Sequence, residues 1–377
     1  MTDTLGVGVI GCGNISTAYF RLAPLFAGME IRACTDLNMD AARAQAAKFD
    51  VDAREIGDLL KSDDIDVVVN LTIPDAHSAV SCQAIQAGKH VYSEKPLALT
   101  LRDGVEMQRL AREHGVSVGC APDTFLGGAH QHARHLIDAG EIGRIVAGTA
   151  HVMSHGMEHW HPNPDFFFRV GGGPVLDIGP YYVANLINLI GPIKRVAALS
   201  SSATPTRTIT SQPRAGDVIP VETPTNVHAL LEFEQGATVT LSTSWDVWAH
   251  DHGRMELYGT EGSLFVPDPN FFGGDLRMAK RDAGVMPVTG WHHPLSVPND
   301  PHGEGMMANY RTVGLADMVA AIRDGRDARC SIDRTLHALD AMASILMSGE
   351  TGQFVDLTTT CSRPEPLDPA SASALMR

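Results

Sequence analysis

The stretch Val7-Gly8-Val9-Ile10-Gly11-Cys12-Gly13-Asn14-Ile15-Ser16 decides the fold. An apolar run breaks into glycines and then, from Asn14, into a helical pattern. Glycines at such a turn let the chain bend tightly and let a diphosphate approach the backbone. The free N–H groups and positive dipole of the following helix then face the anion. Any glycine-rich strand-to-helix turn can imitate G-x-G-x-x-[GAS], so its neighbours matter. A second strand-like run, Glu30-Ile31-Arg32-Ala33-Cys34-Thr35, ends in Asp36, 20 residues beyond Ser16. A dinucleotide site needs an acid at that offset to hold a ribose 2′-OH. A carboxylate there also repels a 2′-phosphate, so NAD is expected rather than NADP.

The 377 residues suit two domains better than one core. Hydrophobic content of 44% against 19% charged residues marks a globular chain. A net charge of −15 argues against nucleic acid or an anionic membrane as partner. An anionic cofactor must therefore be held by local N–H groups and a few cations. No basic start with an apolar signal core is seen, and no apolar run reaches membrane-spanning length. Six scattered cysteines without a C-x-x-C pair fit a reduced, cytoplasmic protein.

Up to about residue 122, strand patterns (5–10, 30–35, 66–71, 89–93, 116–120) alternate with helical ones (14–26, 39–48, 55–61, 76–87, 101–113). Short β-branched runs such as Val67-Val68-Val69 fit strands buried on both faces. The alternation predicts an α/β domain of Rossmann type over 1–122, a doubly wound parallel sheet. Beyond it the pattern changes. A helix is expected at 128–139, a strand at 144–153, a His- and Pro-rich loop at 154–170 and an apolar helix at 176–190. Strands follow at 193–202, 226–234, 237–247, 254–259 and 262–267, with a hairpin at Glu234-Gln235-Gly236, then helices at 304–324 and 334–347. This predicts an α+β domain over 123–361 with a large, open, mostly antiparallel sheet. The Pro-, Ser- and Ala-rich residues 362–377 read as a flexible tail.

Three further segments carry chemistry. Ala87-Gly88-Lys89-His90-Val91-Tyr92-Ser93-Glu94-Lys95-Pro96 leaves a lysine at the carboxyl end of a parallel strand, where such sheets bind ligands. Leu71-Thr72-Ile73-Pro74-Asp75-Ala76-His77 follows the preceding strand. Gly171-Gly172-Gly173-Pro174-Val175-Leu176-Asp177-Ile178-Gly179-Pro180-Tyr181 lies in the second domain. With these motifs nearly the whole chain resembles the glucose–fructose oxidoreductase / inositol dehydrogenase (Gfo/Idh/MocA) family. The resemblance implies an NAD- or NADP-binding Rossmann domain, a sugar, polyol or related ring against the C-terminal sheet, and hydride transfer at a secondary alcohol or aldehyde carbon. It implies that Gly11, Cys12, Gly13, Asn14 and Ile15 carry the diphosphate, with Asp36 and Leu37 at the adenosine ribose. Thr72, Ile73, Pro74 and His77 would line the crevice, with Glu94 and Lys95 near the nicotinamide ribose and substrate. Asp177 matches the family's substrate-binding acid. The usual catalytic histidine one turn later is here Tyr181, which leaves the proton carrier open among Tyr181, Lys95 and His161.

Removing a hydride from a secondary alcohol needs a base for the hydroxyl proton, worth roughly two to four decades in rate. An unassisted phenol, with an ordinary pKa of about 10, is a weak base at neutral pH. An ammonium beside it favours the phenolate, so Lys95 next to Tyr181 would make a workable couple. Asp177 and Tyr181 share a face if 176–190 is one helix. His155, His159 and His161 with Glu158 invite a metal reading, but Gly156 and Pro162-Asn163-Pro164 break any helix that would align them. No metal is expected; Trp160 would stack a sugar face while His155 and His161 bond hydroxyls. Asp123, after Cys120-Ala121-Pro122, is a further candidate substrate contact. Trp245 and Trp248 read as sheet packing. The leading expectation is an NAD-dependent dehydrogenase of a sugar, glycoside or cyclitol. An NAD-retaining glycosidase working by transient ring oxidation, elimination and hydration is the alternative, and a non-catalytic cofactor sensor a third. The open sheet further suggests a homodimer or homotetramer.

Overall fold

A computed structural model describes residues 4–377. The first half builds β1 (Leu5–Ile10), α1 (Ser16–Leu22), β2 (Met29–Thr35), α2 (Met39–Phe49), β3 (Asp52–Ala53), α3 (Ile56–Lys61), β4 (Val67–Asn70), α4 (Pro74–Gln86), β5 (His90–Ser93), α5 (Leu101–His114) and β6 (Val118–Cys120). All pairings are parallel and the order is β3-β2-β1-β4-β5-β6. The apolar runs are strands because both faces are covered: every residue of β4 is buried. Side-chain caps fix where helices start. Asn38 accepts from the Asp40 N–H and Thr100 from the Asp103 N–H. Strand order reverses between β1 and β4, so their carboxyl ends open the crevice in which doubly wound sheets bind ligands. The short edge strand β3 had no signal of its own in the sequence.

The second half adds α6 (Gly128–Asp138), β7 (Ile145–Met153), α7 (Asp165–Phe168), α8 (Gly173–Asp177), α9 (Gly179–Leu189), β8 (Ile193–Ser201), β9 (Thr206–Thr208), β10 (Val218–Pro220), β11 (Asn226–Phe233), β12 (Thr238–Ser244), β13 (Met255–Gly259), β14 (Gly262–Val266), β15 (Arg277–Lys280), β16 (Met286–Pro287), β17 (Asp300–His302), β18 (Gly305–Met307), α10 (Val313–Asp324), α11 (Ile332–Thr351), β19 (Val355–Asp356) and α12 (Pro369–Leu375). Nine strands form one sheet, ordered β16-β15-β14-β13-β7-β12-β11-β8-β19. Only β7 and β12 pair in parallel. The expected hairpin turns at Gly236, whose φ of 93° suits glycine. Helices α9 and α11 pack their apolar residues onto one face of this sheet. The other face is uncovered and leaves Leu199 and Leu230 exposed.

Three expectations need correction. The apolar segment 176–190 is two helices meeting at Ile178, because Pro180 interrupts the hydrogen-bond ladder there. The helix expected at 304–324, α10, starts at Val313, since residues 305–307 pair with 300–302 as a hairpin. The stretch from Ser362 is not frayed. Leu367 is fully buried, α12 is capped by Asp368, and Arg377 donates to the Phe26 and Met29 carbonyls. Composition alone misled, because the apolar Leu367, Ala372 and Leu375 find a core to fill. They share it with β1, α1 and the residues from Ala308 to Cys330. The chain thus returns from the large sheet to the Rossmann core, and the linear division at 122 does not separate two independent cores.

Candidate active site

The glycine turn is built by close contact. Gly11 has φ of 102°, and a Cβ there would stand 2.6 Å from the Leu71 backbone, so only glycine lets β1 turn against the end of β4. The Cys12 N–H donates to Asp36 Oδ2 at 2.7 Å, and the Asn38 N–H to Oδ1 at 2.8 Å. The acid is therefore held beside the turn. On the other side Gly13 is exposed, and a Cβ added to it would meet nothing within 4 Å. That is the open approach a diphosphate needs. Asn14 is also exposed and Ile15 half-buried. Leu37 is fully exposed (106%) and Ile73 largely so (66%), at the ends of the two strands flanking β1. Two large apolar side chains left in water around one crevice suit clasping a flat ring. The residues present fit a dinucleotide.

His77 is different from expectation. It is buried, with Nδ1 2.7 Å from the Pro96 carbonyl and Nε2 3.0 Å from the Thr72 carbonyl. It ties the loops after β4 and β5 together rather than lining the crevice. Asn70 completes this brace: its amide donates to the His77 carbonyl and the Ser81 hydroxyl, and its Oδ1 accepts from Thr72. Pro74 opens α4 and is exposed.

Lys95, at the end of β5, reaches across to the second half of the chain. Its Nζ donates to Asp177 Oδ1 at 2.8 Å and to the Asp177 carbonyl at 2.7 Å, and lies 5.5 Å from the Tyr181 ring centre. Although α8 and α9 are separate, Asp177 and Tyr181 therefore meet one cation. The ion pair is largely shielded, with side chains 18% and 19% exposed. Burial alone would push the Lys95 ammonium down, but Asp177, Tyr181 and Glu94 prevail and hold it above the ordinary lysine value. It stays charged.

Glu94 is buried and saturated. Oε1 accepts from the Tyr19 hydroxyl at 3.0 Å and from Arg311 Nη1 at 2.7 Å, and Oε2 from the Lys95 N–H at 3.0 Å. Burial raises its carboxyl, but Arg311 and Lys95 outweigh that and keep it below the usual carboxylate range. Burial and Glu94 push the Tyr19 phenol up. Asp123, expected as a substrate contact, is engaged by the backbone. Its buried Oδ2 accepts the backbone N–H groups of Thr312 and Gly314, both at 3.0 Å, and so fixes the start of α10. Burial lifts its pKa to about 6, against the opposing pull of Arg311 and the two N–H groups.

The His-rich loop forms no metal group: among the described residues no cluster of three or more such ligands exists. Glu158 instead pairs with Arg207 at 2.9 Å. His155 stacks on Trp248 with ring centres 3.3 Å apart, His161 Nδ1 accepts the Asn163 N–H, and Trp160 is exposed. Trp245 and Trp248 both lie beyond β12: Trp245 is buried among Met157, Phe167, Phe168, Ile209 and Ile219, and Trp248 is exposed. Hydrogen bonds and ring contacts tie these loop residues to one another, not to Lys95 or Asp177. The sequence reading missed Tyr19, Asn70 and Arg311. Arg311 gave no signal, because its segment imitated a helix.

Comparison with known proteins places the chain in a family. Residues 5–121 match the family model described as "Oxidoreductase family, NAD-binding Rossmann fold", and residues 130–265 the GFO/IDH/MocA C-terminal domain. A 1,5-anhydro-D-fructose reductase of Ensifer adhaerens is 25% identical over 93% of this chain and 98% of its own length. A dTDP-3,4-didehydro-2,6-dideoxy-alpha-D-glucose 3-reductase of Saccharopolyspora spinosa is 30% identical over 71% of this chain and 75% of its own. A solved levoglucosan dehydrogenase in complex with NADH and levoglucosan superposes with a TM-score of 0.79 at 22% identity, covering 94% and 100% of the two chains, which is a likeness of fold.

Proposed function

The chain belongs to the GFO/IDH/MocA family of oxidoreductases, and from that premise we propose that it is an NAD-dependent dehydrogenase of a secondary hydroxyl on a sugar, glycoside or cyclitol. One observation carries the reading. A shielded ammonium, Lys95, stands between Asp177 and Tyr181 at the carboxyl end of β5, on the edge that also bears the glycine turn. The named relatives act on carbohydrates, which supports the substrate class. NAD, when bound, supplies the hydride acceptor. Asp36 favours it over NADP, since its carboxylate would face a 2′-phosphate.

The chain's own residues handle the proton. Asp177 accepts a hydrogen bond from a substrate hydroxyl. Lys95, held as an ammonium, is a poor base and serves as donor, stabilising the alkoxide that develops as the hydroxyl proton leaves. Tyr181, facing that ammonium, takes the proton as its phenolate and becomes the phenol. His155, Trp160 and His161 are placed by this reading at the outer wall of the sugar site. The uncovered sheet face, with Leu199 and Leu230 exposed, supports association into a homodimer or homotetramer. Incubation with NAD and a panel of aldoses, inositols, anhydrosugars and glycosides, followed at the NADH absorbance, tests the proposal. NADH formation with at least one class is expected; silence across the panel would remove the reading.

A further inference from the structure

We infer that Arg311 is a positioning residue of this site, a guanidinium delivered by the returning segment to hold Glu94 in place. The inference rests on the dehydrogenase reading above. Arg311 stands more than 200 residues from Glu94 in sequence, yet its Nη1 donates to Oε1 at 2.7 Å, with side chains only 20% and 9% exposed. Tyr19 donates to the same oxygen, and the Lys95 backbone N–H to the other. Glu94 is thus pinned through both oxygens, and Arg311 provides the only formally charged side chain among those donors. Burial opposes the Arg311 charge, but Glu94 and Asp123 outweigh it and keep the guanidinium protonated. The residue after Glu94, Lys95, has its Nζ 5.5 Å from the Tyr181 ring centre, so fixing Glu94 fixes the strand end that presents that ammonium.

The backbone beside Arg311 is built to aim it. Thr312 is fully buried with φ of 91°, a conformation a threonine adopts only when its surroundings force it. What forces it is Asp123, whose Oδ2 takes the N–H groups of Thr312 and Gly314 together. Gly314 is needed as well, since a Cβ there would lie 2.3 Å from the Tyr92 hydroxyl and 2.8 Å from the Asp123 Cβ. The Arg311 N–H is itself held, by Asn309 Oδ1 at 3.3 Å. An ordinary helix start would need neither the strained threonine nor the buried acid. Both make sense as the means of turning the guanidinium inward, toward Glu94.

The test compares Arg311→Met and Arg311→Lys with the wild-type full chain, measuring kcat, carbohydrate KM, NADH Kd and the fluorescence of bound NADH. The methionine variant is expected to lose kcat at least 30-fold while KM and NADH Kd move less than threefold, and to change the bound-NADH emission. A lysine reaches Glu94 with one N–H group, so Arg311→Lys is expected to recover at least tenfold of the kcat and the wild-type emission. A methionine variant within threefold of wild type, or a lysine variant as slow as it, overturns the inference. Should the methionine variant not fold, Arg311→Lys decides alone: kcat within tenfold of wild type supports the role and a larger loss overturns it. If the wild type binds NADH but oxidises nothing on the panel, the dehydrogenase reading has failed separately. The emission then decides for Arg311, with an unchanged spectrum in the methionine variant counting against it.

Discussion

Replacing Lys95 by methionine keeps the length and apolar stem of the side chain and deletes only its charge. The structure sets two separate consequences. For the reaction, the deletion removes the one ammonium that touches both Asp177 and Tyr181. Loss of a preorganised donor at a developing alkoxide costs about two to three decades. Weaker general-base help from Tyr181 is expected to bring the total loss in kcat/KM to about 1,000-fold, which is about 4 kcal/mol. For stability, Asp177 keeps a carboxylate without its partner. Breaking a fully buried pair costs about 3–5 kcal/mol, but these side chains are 18% and 19% exposed, so about 1–3 kcal/mol and a fall of a few degrees in Tm are expected. Initial rates at the NADH band give the first quantity, thermal melting the second, and calorimetry of NAD binding serves as control. NAD affinity should stay within about threefold, because the glycine turn and Asp36 are untouched. Retention of kcat/KM within tenfold in a folded, NAD-binding Lys95→Met protein would refute the assignment of Lys95 to the chemistry.

Three other outcomes follow from the same geometry. Asp123 has a folded pKa of about 6 against an ordinary 3.8, so the folded state binds its proton more tightly and protonation favours folding. Its contribution to stability is best below about pH 4 and is lost as pH rises through about 6, by about 2–3 kcal/mol in all. Asp123→Asn should therefore gain relative to wild type between pH 4 and 6.5 and hold a constant offset above; melting curves that run parallel across that range would contradict it. Asp36→Ala should weaken NAD at least tenfold, since Asp36 also braces the Cys12 and Asn38 N–H groups, and should shift the NADP-to-NAD preference at least tenfold toward NADP; an unmoved ratio of the two dissociation constants speaks against the role. Light scattering should return the mass of a dimer or tetramer, and Leu199→Glu with Leu230→Glu on the uncovered sheet face should lower it; a wild-type mass of one chain would end the oligomer proposal.

The Rossmann half was legible because its signals are local. Val67-Val68-Val69, the glycines at 11 and 13, and Asp36 each stand out within a few residues of sequence, although Gly11 and Asp36 meet Leu71 and Cys12 from elsewhere in the chain. Lys95 was legible for the same reason, as a residue at a strand's carboxyl end. The second half yielded its strands through alternation but not its breaks. Ile178 became a boundary only because Pro180 follows, and 305–307 became a hairpin because 300–302 was there to pair with it. The tail misled since its few apolar residues are informative only once a groove on the Rossmann core exists to receive them. His77 and Asp123 were read as ligand contacts, and each holds two backbone groups in the structure. A buried polar residue that satisfies two backbone groups looks the same in sequence as one that awaits a ligand.

The returning segment explains why the site could not be read from motifs alone. Each motif marks one strand end, but the arrangement that unites them is made by residues 308–330 and 367–375 packing back into the first core. Without that return, Glu94 would lose Arg311, and Asp123 would lose the N–H groups of Thr312 and Gly314. The Rossmann sheet positions the cofactor turn by itself. Fixing Glu94 is different, because it requires the end of the chain to close on the beginning. Truncation before Arg311 should therefore do more than shorten the protein. It should leave a Rossmann half whose glycine turn is intact but whose buried Glu94 has lost its cationic partner, and an uncompensated buried carboxylate of that kind is among the more destabilising features a fold can carry.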